Sequence, residues 1–187
     1  MIKTYTNTLN FDLIKDINDY LNIILQKSVW SSNNGWNKDL LSNSSNILCH
    51  LIQNKNINKK IKICVENKIN LKFEETNLKF ICYIYIWGAG SYIPWHDDGC
   101  YPYNGTIYLN EEWDSDNGGI FLYKDNEKNK IFGIEPQYNL MVVNYENQIN
   151  KQNSHCVTYI LPTCIERRVT IQWRAIKFNK NNRIIYL

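Results

Sequence analysis

Apolar and polar positions follow two different periods along this chain, and the change falls near residue 69. Before it the spacing is helical. Phe11, Ile14, Ile17, Leu21 and Ile24 share one stripe behind Asn10, a residue type that caps helix starts, and they predict a helix over 11–25. The apolar run 47–52 predicts a second helix over about 44–54, with His50 as a packed or surface side chain on it. The segment 57–69 fits either period. Ile61, Ile63 and Val65 alternate, while Ile57, Ile61, Val65 and Ile69 lie four apart, and the reading taken is helix. The cluster Ser31, Ser32, Asn33, Asn34 and Gly35 reads as a loop.

Beyond residue 69 the period is two. Strands are predicted near 69–73, 78–87, 104–110, 119–123, 130–134, 139–144, 155–161 and 168–178. Turn residues separate them at 74–77, 116–119 and 135–136. Many short strands behind a helical N-terminal third predict a mainly β protein, a sandwich or jelly roll backed by helices. One domain over 1–187 is expected, with helical support over about 1–70 and the β core over about 70–180.

One polar group breaks this apolar pattern. The run Phe80 to Trp87 reads as a buried strand, and soon after it come His96, Asp97 and Asp98. In an extended backbone residues two apart point the same way, so His96 and Asp98 share a target while Asp97 turns aside. The chain has three histidines. His155 opens the alternating segment 155–161, which leaves it as the natural third corner. Two imidazoles and a carboxylate on one side of an ion form the facial triad of non-haem iron(II) oxygenases, with three coordination positions left open.

Composition narrows the picture further. The protein has 187 residues, 44% apolar and 13% aromatic, and a formal net charge of +3 with scattered lysines. Neither nucleic acid nor a membrane surface is implied by that charge. The polar start, Met1 to Tyr5, predicts no signal peptide, and no apolar run reaches the ~20 residues of a membrane span. Six cysteines without a Cys-x-x-Cys pair, mostly flanked by apolar residues, read as reduced thiols in a reducing, cytoplasmic compartment. Trp95, Trp113 and Trp173 read as core residues. The abundance of Asn reads as coding bias.

Taken in order, four blocks resemble the 2-oxoglutarate and iron(II)-dependent dioxygenase superfamily, most closely its prolyl 4-hydroxylase branch. They are GSYIPWHDDG (90–99), GTIYLNEEWDSDNGGIFLY (105–123), IEPQYNLMVVN (134–144) and SHCVTYILPTCIERRVTIQW (154–173). The resemblance implies a double-stranded β-helix core and hydroxylation of a substrate C–H bond. It implies iron(II), 2-oxoglutarate and O2, with ascorbate as an accessory reductant. His96, Asp98 and His155 take the places of the metal ligands.

The resemblance also implies a cation for the far carboxylate of 2-oxoglutarate, and an arginine fork suits it. Arg167 and Arg168 are adjacent, and alternation decides between them. Val169, Ile171 and Trp173 form an apolar face toward the helices, which turns Arg168, Thr170, Gln172 and Arg174 inward. Arg168 with Thr170 matches the family's Arg-x-Ser/Thr, and Arg167 reads as a surface charge. Tyr108 matches a tyrosine bonding the same carboxylate. Tyr85 resembles one nearer the metal, although Tyr83 shares its face. Arg174 is read as a substrate contact or a rim charge, at a place usually aromatic in prolyl hydroxylases.

The substrate expected from the resemblance is a prolyl residue in a peptide or protein. Arg168-x5-Arg174 also resembles the two-arginine strand of nucleic-acid demethylases, and free amino acids or other side chains are further alternatives. A cupin-like metal-binding module without oxygenase activity is the alternative of a different class. A buried Arg168 beside Tyr108, which a metal-only site does not need, separates the two.

Overall fold

The computed structural model describes residues 1–27, 29–32, 41, 43–45, 47–98, 101–125, 128–145 and 154–177. In chain order the elements are β1 (Ile2–Tyr5), α1 (Phe11–Leu25), β2 (Ser31–Ser32), β3 (Leu48–Leu51) and α2 (Lys55–Ile69). There follow β4 (Leu78–Trp87), β5 (Ile93–His96), β6 (Tyr103–Tyr108), β7 (Phe121–Asp125) and β8 (Lys130–Ile134). The last are β9 (Met141–Tyr145), β10 (His155–Val157) and β11 (Arg168–Lys177). Short 3-10 turns occupy Phe73–Thr76 and Ser115–Asn117.

Two antiparallel sheets face each other as a jelly roll. The larger has seven strands in the order β1-β9-β6-β11-β4-β3-β2, and the smaller has four, β5-β10-β7-β8. β11 is the spine of the larger sheet. Its ten residues pair along their whole length with β4, from Arg168 opposite Trp87 to Lys177 opposite Leu78, and on the other side with β6. A strand paired on both sides and buried on both faces holds its side chains in fixed directions.

Those directions divide the core in two. One face of the large sheet gives Cys82, Ile84 and Ile86 from β4 and Ile171, Trp173 and Ala175 from β11. They pack against Leu13, Ile14, Ile17 and Ile24 of α1 and Ile57, Ile61 and Val65 of α2. The other face gives Tyr85, Trp87, Tyr108 and Val142, which meet Ile93, Phe121 and Val157 of the small sheet. The site lies in this second layer.

Both helices start on asparagine side chains. Asn10 accepts from the Leu13 amide, and Asn54 accepts from Asn56 and Ile57. α2 ends at Asn70 in the left-handed conformation.

Several expectations need correction. The run 47–52 forms β3 rather than a helix, so His50 is a strand residue. Its ring is buried between Tyr20, whose hydroxyl bonds Nε2 at 2.8 Å, and Trp30. Residues 69–73 close α2 and enter a 3-10 turn instead of forming a strand. The support region also supplies three strands, β1 to β3, to the large sheet. On α1, Phe11 is 79% exposed and Leu13 takes the buried place expected of it. Trp95 is 37% exposed with the Lys124 ammonium over its ring, outside the core, whereas Trp173 is fully buried and Trp113 packs against the second layer. Ser31 and Ser32 pair with β3, and the remainder of that proposed loop, 33–35, lies outside the described residues.

Candidate metal centre and active-site cavity

β5 and β10 bring the two histidines together. His155 is the direct cross-strand partner of His96, and the ring centroids are 4.3 Å apart. Asp98, two residues past the end of β5, turns its carboxylate toward both rings. Its Oδ1 lies 3.8 Å from His96 Nε2 and its Oδ2 lies 3.4 Å from His155 Nε2. All three side chains offer ligand atoms within 4.8 Å of one another, and among the described residues no other His/Cys/Asp/Glu cluster does so. Asp97 is exposed, as the alternation predicts.

The protonation of the site suits a divalent cation. His96 Nδ1 lies 2.8 Å from the Pro94 carbonyl, which can only accept, so the proton sits on Nδ1 and the Nε2 lone pair faces inward. Burial and the neighbouring His155 push the His96 pKa down, against the opposing pull of Asp98, so the ring stays neutral. Burial alone would raise Asp98, but the two imidazoles and Arg174 outweigh it and hold its carboxyl at about 2. His155 is stacked on Phe121 at 5.2 Å, which fixes the plane of its ring. Two imidazole nitrogens and one carboxylate suit ferrous iron and would hold it from one side.

The ligands open onto a cavity between the sheets with an empty volume of about 580 Å³, counting its mouth. Its wall includes Trp87, Ile93, Phe121 and Val157, together with Arg168 and Arg174.

Arg168 is the least ordinary residue here. It is 1% exposed, and its guanidinium carbon lies 4.8 Å from the Trp87 ring centroid and 5.0 Å from that of Tyr108. Burial pushes its pKa down while Tyr108 pulls it back up, and the Tyr108 hydroxyl is itself raised by burial. Arg168 Nε and Nη1 and the Tyr108 hydroxyl are buried, yet none completes a hydrogen bond of good geometry. A buried guanidinium fork without an acceptor carries a large desolvation cost unless an anion arrives. Thr170 stands behind it and accepts the Trp87 indole N–H at 3.1 Å. Arg167 is exposed.

Gly119 lets the backbone come close to the Arg168 stem. This residue has φ +70°, and a Cβ there would meet Arg168 Cδ at 3.1 Å. The Asp116–Gly119 turn therefore serves the seating of Arg168 as well as the chain reversal.

Tyr85 is fully buried in the second layer but not on the cavity wall. Burial raises its hydroxyl pKa, and its neighbours are Arg174 and Cys49. Arg174 is no rim charge: it is 8% exposed, its Nη1 donates to the Tyr101 hydroxyl at 3.2 Å, and its guanidinium covers the Tyr101 ring at 4.9 Å.

Pattern reading missed Asn104 and Asn144. Both are buried and line the same cavity. The inward direction of Asn104 follows from Tyr108 by alternation, but its meeting with Asn144 depends on the β6–β9 register.

The family model described as the 2OG-Fe(II) oxygenase superfamily matches residues 78–174. No curated protein matches the chain in sequence. Among solved structures, a prolyl-4-hydroxylase from Pseudomonas putida aligns with a TM-score of 0.66 at 13% identity, covering 95% of this chain and 93% of that one. A Trichoplax adhaerens prolyl hydroxylase, solved with a peptide fragment of hypoxia inducible factor, gives 0.71 at 17% identity over 93% and 82%. A collagen prolyl hydroxylase of Paramecium Bursaria Chlorella virus-1, solved with 2OG, gives 0.63 at 11% over 93% and 94%. At these identities the likeness is one of fold.

Proposed function

Since the chain belongs to the 2OG-Fe(II) oxygenase superfamily and is a dioxygenase using iron(II), 2-oxoglutarate and O2, we propose that its substrate is a prolyl residue of a peptide or protein. His96, Asp98 and His155 hold the iron in this reading. Arg168, flanked by Tyr108 and Thr170, takes the far carboxylate of 2-oxoglutarate, and Tyr85 supports the layer behind the cavity. When bound, iron and 2-oxoglutarate supply the oxidising power, and the protein needs no nucleophile or general base of its own.

The carrying observation is that Arg168 Nε and Nη1 and the Tyr108 hydroxyl are buried without a completed hydrogen bond, the guanidinium lying 5.0 Å from the Tyr108 ring centroid. A dicarboxylic acid gives them acceptors through one end and leaves its other end for the metal. A metal-binding module without a cosubstrate has no use for that arrangement. Trp87 and Tyr108 fix the guanidinium by stacking, so little side-chain freedom is lost on binding. The apolar walls Ile93, Phe121 and Val157 exclude water from the ligands.

The prolyl assignment draws support from three similar folds, prolyl hydroxylases from three sources, one of them holding a peptide. The test is oxidation of proline-containing peptides, read as a mass gain of one oxygen coupled to succinate release. Succinate without peptide oxidation would keep the dioxygenase and discard the prolyl substrate.

A further inference from the structure

Arg168 and Arg174 stand at opposite ends of the inward face of β11, six residues and roughly 20 Å apart along the strand. The Arg168 end is accounted for by the cosubstrate. The Arg174 end carries a second polar group, whose guanidinium also bears on the Asp98 carboxylate. Register places it: Arg174 is the cross-strand partner of Asn104, and Asn104 is the partner of Asn144. Three polar side chains thus form one row across β11, β6 and β9, on the face that looks into the cavity. Gln172 adjoins the row on β11.

This row is buried and, apart from the Arg174 bond to Tyr101, short of partners. Asn144 is 3% exposed and Asn104 is 9% exposed, both on the cavity wall. Asn104 Nδ2, Asn144 Nδ2, Asn144 Oδ1 and Gln172 Oε1 are all buried without a hydrogen-bond partner. Native interiors hold few such atoms, and four in one cluster call for a ligand. The cluster contains both signs of hydrogen-bonding capacity, two amide donors and two carbonyl acceptors, beside a cationic donor.

That mixture chooses among ligands. A bare carboxylate only accepts, and would leave Asn144 Oδ1 and Gln172 Oε1 stranded. A free amino acid adds an ammonium, which would share the row with the Arg174 cation. A main-chain amide brings one N–H and one C=O at fixed separation, and the Asn144 side chain answers it with one acceptor and one donor. Resting on the peptidyl reading above, we propose that Arg174, Asn104 and Asn144 bind a main-chain amide of the substrate, so that the enzyme takes a peptide rather than a free amino acid.

The test uses the full chain loaded with iron and compares a mixed pool of acetyl-Xaa-Pro-Xaa-amide tripeptides with free L-proline. Wild type should add oxygen to the blocked tripeptides in preference to the amino acid. Asn144→Leu should lower tripeptide oxidation about tenfold. It should melt no lower than wild type and keep the full thermal shift given by 2-oxoglutarate, because replacing an unsatisfied buried amide by an apolar isostere costs no native contact. Asn104→Leu should behave alike. Preference for free L-proline, oxidation of neither probe, unchanged tripeptide oxidation in both variants, or loss of the 2-oxoglutarate shift in them would each overturn the assignment. Absence of that shift in wild type, seen before any peptide is added, would overturn the dioxygenase site and this inference with it.

Discussion

His155 and His96 sit directly opposite one another on β10 and β5, and both turn Nε2 toward the Asp98 carboxylate, at 3.4 and 3.8 Å. Neither histidine owes its position to the helices. The ligand set is a property of the small sheet and of the two residues that follow β5.

Removing one corner should remove the metal. Asp98→Ala and His96→Ala should weaken Mn(II) binding, measured by calorimetry, by at least about 100-fold, and abolish succinate formation with added iron. Both proteins should remain folded, since Asp98 and His96 carry little of either core cluster. Wild-type-like succinate formation by Asp98→Ala would sink the ligand assignment.

Arg168 should act in opposite directions on binding and on stability. Arg168→Met removes a buried charge that no carboxylate among the described residues pairs, so the variant should melt at or above wild type without cosubstrate. Its KM for 2-oxoglutarate should rise by ~30-fold or more, the cost of losing one partner of a buried charge pair, and 2-oxoglutarate should no longer raise its melting temperature. Steady-state kinetics and thermal melts in parallel check both halves.

Gly119→Ala tests the seating of Arg168 from the backbone side. The left-handed backbone at φ +70° should cost about 1–2 kcal/mol of stability. The added methyl also crowds Arg168 Cδ, so the KM for 2-oxoglutarate should rise as well. A change in stability with an unchanged KM would mean that the glycine serves only the turn.

Acid should destabilise the chelator-treated protein in two windows. His96 titrates below its ordinary 6.5 in the folded state, so the unfolded chain binds its proton first and stability falls as pH drops below about 6.5. Asp98 is held at about 2 against an ordinary 3.8, so it contributes stability above pH 3.8 that is lost as pH falls from there toward 2. The second step should be about 2 kcal/mol, and absent from Asp98→Asn. Urea titrations across pH 2–7 report both steps.

Legibility in the sequence followed the length and the surroundings of each element. β4, β8 and β11 were bounded to within a residue, because long alternation and clear turns leave little choice. The β3 error has a physical cause. A short apolar run buried on both sides has no period of its own, and pairing with β4 decided it. β5 was hidden by Pro94, which a strand accepts only at an edge, and β5 is the edge of its sheet. In the site, two of three histidines could be read from spacing, and alternation picked Arg168 over Arg167 once the resemblance called for a cation. Asn104 and Asn144 could not, because nothing in a chain rich in asparagine distinguishes two that share a cross-strand row.

The coupling of His96 to His155 is written in hydrogen-bond register and not in the length of chain between them. Residues may therefore be inserted or deleted across the β7–β8 or β9–β10 connections while the iron keeps its grip. A slip of β10 by one position would instead turn the imidazole to the far side of the sheet and put Cys156 in its stead. New specificities in this scaffold can thus be sought in its loops, while the ladder between two short strands acts as the ruler of the metal site.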